Sequence, residues 1–213
     1  MPTATRSFLV CAATALLVAG CTQAVTGTAV KAVPGLDDDS LSPVDVETVM
    51  LDQSRMRAIT GAGEDLTIIP SMDGKTPVDI EPLVERAPPR CGWLFAESQI
   101  FGPDVEEFHK TSFQNPPDGA LISEAVAAYR DAETARAAFD SLLSRVDECG
   151  STTSGSAILG DRTTAGESLS MRPGACGRDY RVKSVVLVEV TFCRFPGSVP
   201  DIVMTNILAN VPE

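Results

Sequence analysis

The sequence predicts an α+β fold, an antiparallel β-sheet packed against helices in one disulfide-bonded domain. Three observations carry this. "VEEFHKTSF" and "ALISEAVAAY" are separated by the turn-forming "QNPPDG", which predicts a hairpin. A helix is predicted to follow from about Asp131, with Ala132, Ala135, Phe139, Leu142, Val146 and Cys149 at steps of three and four. "VVLVEVTF" is the strongest strand signal: Val186, Val188, Val190 and Phe192 share one face and Leu187 the other, as in a strand at the centre of a sheet. Strands and helices in this order give an antiparallel sheet with helices against it.

The remaining elements follow in chain order. Arg6 precedes an apolar run from Phe8 to Ala19, about a dozen residues, whereas a bilayer-spanning helix takes about 20. This is the length of a secretory signal's apolar region. It ends in Val18-Ala19-Gly20-Cys21, which resembles a bacterial lipobox. In that reading residues 1–20 are removed, and Cys21 becomes the N-terminus and carries fatty acyl groups such as palmitate. Each buried methylene contributes about 0.8 kcal/mol and one chain holds only marginally, so stable anchoring takes two or more. Residues 21–41 are small and polar, then acidic, without periodicity, and read as a flexible tether to a domain over 42–213.

Ser42-Pro43-Val44-Asp45 reads as a helix start capped by Ser42. Val46, Val49, Met50 and Met56 lie on one side of that helix, and Gly61 and Gly63 end it. Residues 64–92, rich in proline and turn formers, are expected to cross the domain irregularly, and long loops of this kind are often functional. Cys149 is placed on the buried stripe of its helix with Gly150 as cap. Residues 150–165 read as loop, and "SLSMR" and "RDYRVK" as strands. A last helix capped by Ser198 presents Ile202, Val203, Ile207 and Leu208 as its apolar side.

Of the 213 residues, 17 are Lys or Arg and 29 are Asp or Glu; Arg6 is the only charge in the first 20, so the chain from Cys21 onward has 16 basic residues against 29 acidic, a net −13. With no basic run, this composition argues against nucleic acid or an anionic bilayer surface as a partner. Cys91, Cys149, Cys176 and Cys193 form an even set in an exported chain, the signature of a disulfide framework with three possible pairings. Cys176 and Cys193 flank a hairpin turning near Lys183-Ser184 and can face each other, which leaves Cys91 with Cys149. The loop-entropy relation gives the two bonds about 3 and 4 kcal/mol respectively.

The assembled pattern resembles mycobacterial lipoproteins carrying a PknH-like extracellular domain, the sensor domain of some receptor-type Ser/Thr kinases. The resemblance rests on "GTAV" (Gly27 to Val30), Pro88-Pro89-Arg90-Cys91, "SEAVAAYRDAETARAAF" leading to Cys149, and Cys176, a valine run and Cys193. It covers essentially the whole chain from Cys21. Family members commonly have tryptophan where this chain has Val146, and asparagine where it has Lys183-Ser184. The resemblance implies two disulfides, an antiparallel sheet with helices, and a cleft that receives a signal.

No catalytic, cofactor or metal-binding set emerges. "DGKTP" lacks the first glycine of a phosphate loop, with Ile69 in its place, and Pro77 blocks the helix that must follow. "GAGED" reads as a helix C-terminus. No Cys-x-x-Cys occurs and His109 is the single histidine, which argues against zinc. His109 shares a strand face with Glu107 and Thr111, which can orient it as a base, but no Gly-x-Ser-x-Gly elbow accompanies it and a solvated strand histidine is the simpler reading. Trp93, beside Cys91, either lines a ligand cleft or covers the disulfide. Glu106 and Glu107 point to opposite sheet sides and cannot act as a pair.

These readings converge on a non-enzymatic, ligand-binding or sensor-like lipoprotein on the extracytoplasmic face of the cell membrane. Its partners are membrane lipid through Cys21 and a small ligand or envelope protein. Segment 61–92 and the sheet face beside it form the candidate surface, with Trp93 and His109 as candidate ligand residues. The alternatives are a docking partner for another envelope protein and a weak hydrolase using His109.

Overall fold

The computed structural model describes residues 42–212. The leader, the acylation of Cys21 and the tether predicted for residues 1–41 lie outside the described residues.

Seven strands form one antiparallel sheet in the order β1-β2-β3-β7-β6-β5-β4: β1 (Thr67–Ile68), β2 (Glu107–Asn115), β3 (Ala120–Ala128), β4 (Asp161–Ala165), β5 (Ser168–Arg172), β6 (Cys176–Lys183) and β7 (Val186–Cys193). The predicted β2–β3 hairpin is present, and Gly119 takes the left-handed conformation (φ 59°) that its tight turn requires. β7 lies at the sheet's centre between β3 and β6, and both of its faces are covered, so polar side chains there are exceptional.

On one face, α1 (Val46–Val49), α2 (Gln53–Thr60) and α7 (Ser198–Asn210) pack Val46, Val49, Met56, Val203 and Ile207 with Phe113, Ile122, Val126, Val188 and Val190. On the other, α4 (Glu97–Phe101) and α5 (Ala132–Gly150) bring Ile100, Phe139, Leu142 and Val146 into one core with Ala127, Leu169, Tyr180 and Leu187. These are called the N-terminal face and the α5 face. Disulfides join Cys91 to Cys149 and Cys176 to Cys193, the second directly across the β6–β7 hairpin.

Several boundaries differ from expectation for local reasons. The first helix is two. The chain breaks at Met50–Asp52, where the Leu51 N–H donates to the buried Glu124 carboxyl (3.1 and 3.3 Å), and Asp52 starts the second helix by accepting from the Arg55 N–H at 2.8 Å. Asp45, not Ser42, caps the first, accepting from the Glu47 N–H at 2.9 Å. Segment 64–92 contains β1 and α3 (Glu81–Arg86) between irregular turns.

Residues 150–165, read as loop, contain α6 (Thr153–Leu159) and β4. Thr152 caps α6 through the Gly155 N–H (3.0 Å), and β4 is an edge strand exposed along its whole length, which is why it lacks alternation. Gly150 is the last residue of α5 rather than its cap, and Ala132 is exposed. Gly197, not Ser198, precedes α7, and Ile202 is 45% exposed while Val199, Val203, Met204 and Ile207 are buried, so the apolar side is rotated from expectation. The β6–β7 turn falls on Ser184-Val185, one residue late.

Gly177 packs against Phe192, and an added Cβ would sit 2.4 Å from that ring. Overpacking of this kind costs about 1–3 kcal/mol. Gly177→Ala is therefore expected to lower the midpoint of urea unfolding with the m-value unchanged.

Candidate ligand-binding site

Alternation along the strands and their register define what each sheet face presents. On the α5 face one row across four strands is Ser112, Ser123, Thr191 and Arg178. The next row is Lys110, Ala125, Glu189 and Tyr180, and beyond that lie Phe108, Ala127, Leu187 and Val182. The face thus grades from an apolar end, shared with α5 in one core, to a polar strip.

The strip is incompletely paired. Ser123 and Thr191 share a hydrogen bond of 2.8 Å, and Lys110 Nζ pairs with Glu97 Oε1 at 2.5 Å. Ser112 Oγ and Trp93 Nε1 are buried without a hydrogen-bond partner, while the Tyr180 side chain interacts with those of Arg178 and Glu189. Burial pushes the Tyr180 phenol well above its ordinary range, and Glu189 opposite it adds to the shift. Burial pulls the Arg178 guanidinium down, but Tyr180 and Glu189 outweigh it and hold Arg178 above its usual value. Leaving buried groups such as Ser112 Oγ and Trp93 Nε1 unsatisfied costs about 1–3 kcal/mol each.

His109 lies on the opposite face. Its Nε2 is 2.8 Å from Asp73 Oδ1 and its Nδ1 is 3.0 Å from Glu47 Oε1, while the Thr111 hydroxyl donates to the same Asp73 oxygen at 3.0 Å. The His109 hydrogen bond holds the Asp73 carboxyl below its usual value, aided by Thr111 against the opposing effect of burial. Glu107 does not orient His109; it accepts from the Val46 N–H at 3.2 Å. The imidazole is 14% exposed and clamped between α1 and the 70–73 turn, so it is not the freely solvated histidine the sequence suggested.

The nitrogen that would accept a proton from Thr111 already faces Asp73, and the Thr111 hydroxyl points its hydrogen at that carboxylate. This arrangement suits a structural clamp, not nucleophile activation. A groove of about 530 Å³ runs beside it, lined among others by Glu47, Asp52, Arg55, Asp73 and His109.

Trp93 is buried on the α5 face in the same core cluster as Cys91 and Cys149. The two candidate residues therefore belong to opposite faces and do not form one site. Arg178, Tyr180, Glu189, Lys110 and Glu97 escaped the sequence reading. Their signal was a lone acid inside an otherwise apolar strand, Val-Leu-Val-Glu-Val, and Glu124 in Leu-Ile-Ser-Glu-Ala-Val was the same signal for the other face. Among the described residues no group of His, Cys, Asp and Glu is arranged to hold a metal ion, and no helix is long and apolar enough to cross a membrane.

The fold is a disulfide-bonded α+β domain with one antiparallel sheet. The family model described as "PknH-like extracellular domain" matches residues 41–209, and the chain belongs to that family. The crystal structure of the extracellular domain of PknH from Mycobacterium tuberculosis superposes with a TM-score of 0.58 at 16% sequence identity, covering 78% of this chain and 96% of that one. At that identity the likeness is one of fold. No curated protein matches the chain by sequence.

Glu124, fully buried beneath Leu51, has its pKa pushed up to about 8 by burial, against the Leu51 N–H that favours the ionised form. Because the folded pKa exceeds the ordinary 4.5, the folded state binds more protons between the two values, and stability falls as pH rises from about 4.5 to about 8. Urea unfolding followed across that window is expected to show the decline in the wild-type protein. In Glu124→Gln this contribution disappears.

Proposed function

We propose that the chain is a membrane-anchored extracytoplasmic lipoprotein whose PknH-like domain binds a ligand on the α5 face of its sheet and acts as a sensor or accessory module without catalysing a reaction. The observation that carries the binding half is the row of polar side chains on that face, Lys110, Glu189, Tyr180 and Arg178, with Trp93 Nε1 and Ser112 Oγ buried without a hydrogen-bond partner beside it. Family membership supports the extracellular placement and the sensor-type reading. The lipobox Val18-Ala19-Gly20-Cys21 supports the anchor. Residues 21–41 would then let the domain explore the surface around its lipid.

The segment expected to border the site contributes at its edge. Asp79 bridges to Ala96, the Val78 N–H donates to Glu97 (2.8 Å), and Glu97 in turn holds Lys110. Ordering or displacing 70–80 would therefore be felt at the strip, which is the coupling a sensor needs.

A second reading, docking to another envelope protein, draws on the exposed Met72, Val78, Ile80 and Leu83, all within 72–83. Four alanine substitutions there would separate the two readings: loss of a co-purifying protein with small-molecule binding intact favours docking.

Mass spectrometry of the native protein is expected to place a diacylglyceryl group on Cys21, and Cys21→Ser to move the protein from the membrane to the soluble fraction. An unmodified Cys21 would remove the anchor from the proposal. For the site, fractions of an envelope extract that raise the melting temperature of the wild-type protein should have no effect on Tyr180→Phe or Glu189→Gln. Equal shifts in all three proteins would put binding elsewhere.

A further inference from the structure

We propose that α1 is latched onto the sheet by two protons, one on the imidazole between Glu47 and Asp73 and one on the buried Glu124 carboxyl, so that the N-terminal face is fastened in acid and loosens as pH rises. The latch lies on the face opposite the proposed ligand site and stands or falls independently of it.

The first hold is His109. Glu47 of α1 and Asp73 of the 70–73 turn stand on opposite sides of one ring, 3.0 Å from Nδ1 and 2.8 Å from Nε2. A neutral imidazole has a single N–H and turns a lone pair toward one of the two carboxylates; only the imidazolium answers both. At Nδ1 the contact is an ion pair rather than an aligned hydrogen bond, so it needs the positive charge of the ring. The other charges nearby are engaged elsewhere. Lys75 pairs with Glu47 at 2.9 Å in an exposed contact, and Glu107 accepts from the Val46 N–H. Arg181, in the same row of the sheet, is separated from His109 by Val126 and Val188. Its hydrogen bond to His109 holds Asp73 below the ordinary 3.8, so the ring keeps that anion well into acid.

The second hold is Glu124, 0% exposed, whose carboxyl accepts from the Leu51 N–H at the break between α1 and α2. Asp52, the next residue, opposes its ionisation. Asp179, in the same row beyond Val190, is paired with Arg172 at 2.9 Å, and α7 brings apolar Val203, Met204 and Ile207 to this core. A carboxylate met by one N–H and shut off from water is poorly sustained. Its ionisation therefore calls for water, and the Met50–Asp52 break is the part of the cover that can part to admit it.

The two holds adjoin. Thr111 is the register partner of Glu124 and also donates to Asp73 at 3.0 Å. The groove of about 530 Å³ lies between them, with Glu47, Leu51 and Asp52 on one side and Asp73, His109 and Thr111 on the other. Val46 and Val49 are buried, and the Asn210 amide donates to the Val49 carbonyl at 3.0 Å, so α1 stays seated on its apolar side while its polar edge lifts. Both protons act in the same direction. The folded pKa of Glu124 lies above the ordinary 4.5, so the closed form is favoured in acid and loses that advantage as pH climbs to about 8.

His109 is the single histidine of the chain, so nitrogen NMR follows its ring without ambiguity. The full chain with its disulfides formed would be taken from about pH 5 to about pH 8, the range in which imidazole changes charge. Ring shifts and amide protection factors would be read together. At the acid end both ring nitrogens are expected to carry protons and the amides of 46–56 to be protected. At the alkaline end one ring proton is lost and protection over 46–56 falls about tenfold or more, while the amides of β3 and β7 keep theirs. An amide at 47 can face a neutral ring, and an amide at 124 accepts from Leu51 without ionising. The double variant Glu47→Gln, Glu124→Gln, checked for wild-type circular dichroism, should therefore hold the same protection at both ends.

Unchanged protection over 46–56 in the wild type would overturn the latch, and the wild-type series decides this even if the variant does not fold. A loss shared equally by β3 and β7 would be global destabilisation and would overturn the local opening. A ring with one proton at the acid end would overturn the first hold. A loss as large in the double variant as in the wild type would overturn the assignment to these two protons.

Discussion

A strand covered on both faces has no solvent side for its polar atoms, and β7 is in that position. Its backbone is paired on either edge with β3 and β6, and its side chains meet α1, α2 and α7 on one face and the α5 layer on the other. Valine and leucine meet this requirement at no electrostatic cost. Glu189 does not, and an acid in this setting needs donors or a countercharge. The arrangement around it follows from that need: Tyr180 opposite, Arg178 next along β6, and a row of small hydroxyl residues alongside.

Glu124 on β3 poses the same problem on the other face, and the chain solves it differently. A backbone N–H is taken out of a helix to meet it, at Leu51, and the helix divides there. One acid is stabilised by reorganising the chain above it, and its carboxyl is held protonated. The other, Glu189, is met by side chains alone, the Tyr180 phenol and the Arg178 guanidinium. This contrast is one reason for proposing the α5 face, and not the N-terminal face with its groove of about 530 Å³, as a place of recognition.

The parts of the fold that rest on repetition were legible in the residues themselves. The hairpin, α5 and β7 announce themselves because burial imposes periods of two or 3.6 on their apolar residues. The family resemblance, carried by cysteine spacing and the valine run, is shown by the match over residues 41–209. What escaped was set by single contacts. β4 has no buried side and so no alternation, and α6 depends on one threonine cap in a run of small residues. The break in the first helix depends on an acid 73 residues away. The proposed site was less legible: the pairing of Tyr180 with Glu189 is a matter of register, and the sequence alone does not assign Trp93 and His109 to opposite faces.

The Cys176–Cys193 bridge has a further consequence. The two residues are register partners at one end of β6 and β7, and the same register aligns Tyr180 with Glu189 and Arg178 with Thr191. A slip by one position would turn every side chain of one strand through to the other layer. Sulfur can close across the hairpin only when the rungs are correctly matched, so the oxidant that joins these two thiols also proofreads the alignment of Tyr180 with Glu189. Once closed, the bridge keeps that alignment through any later loosening of the surrounding helices.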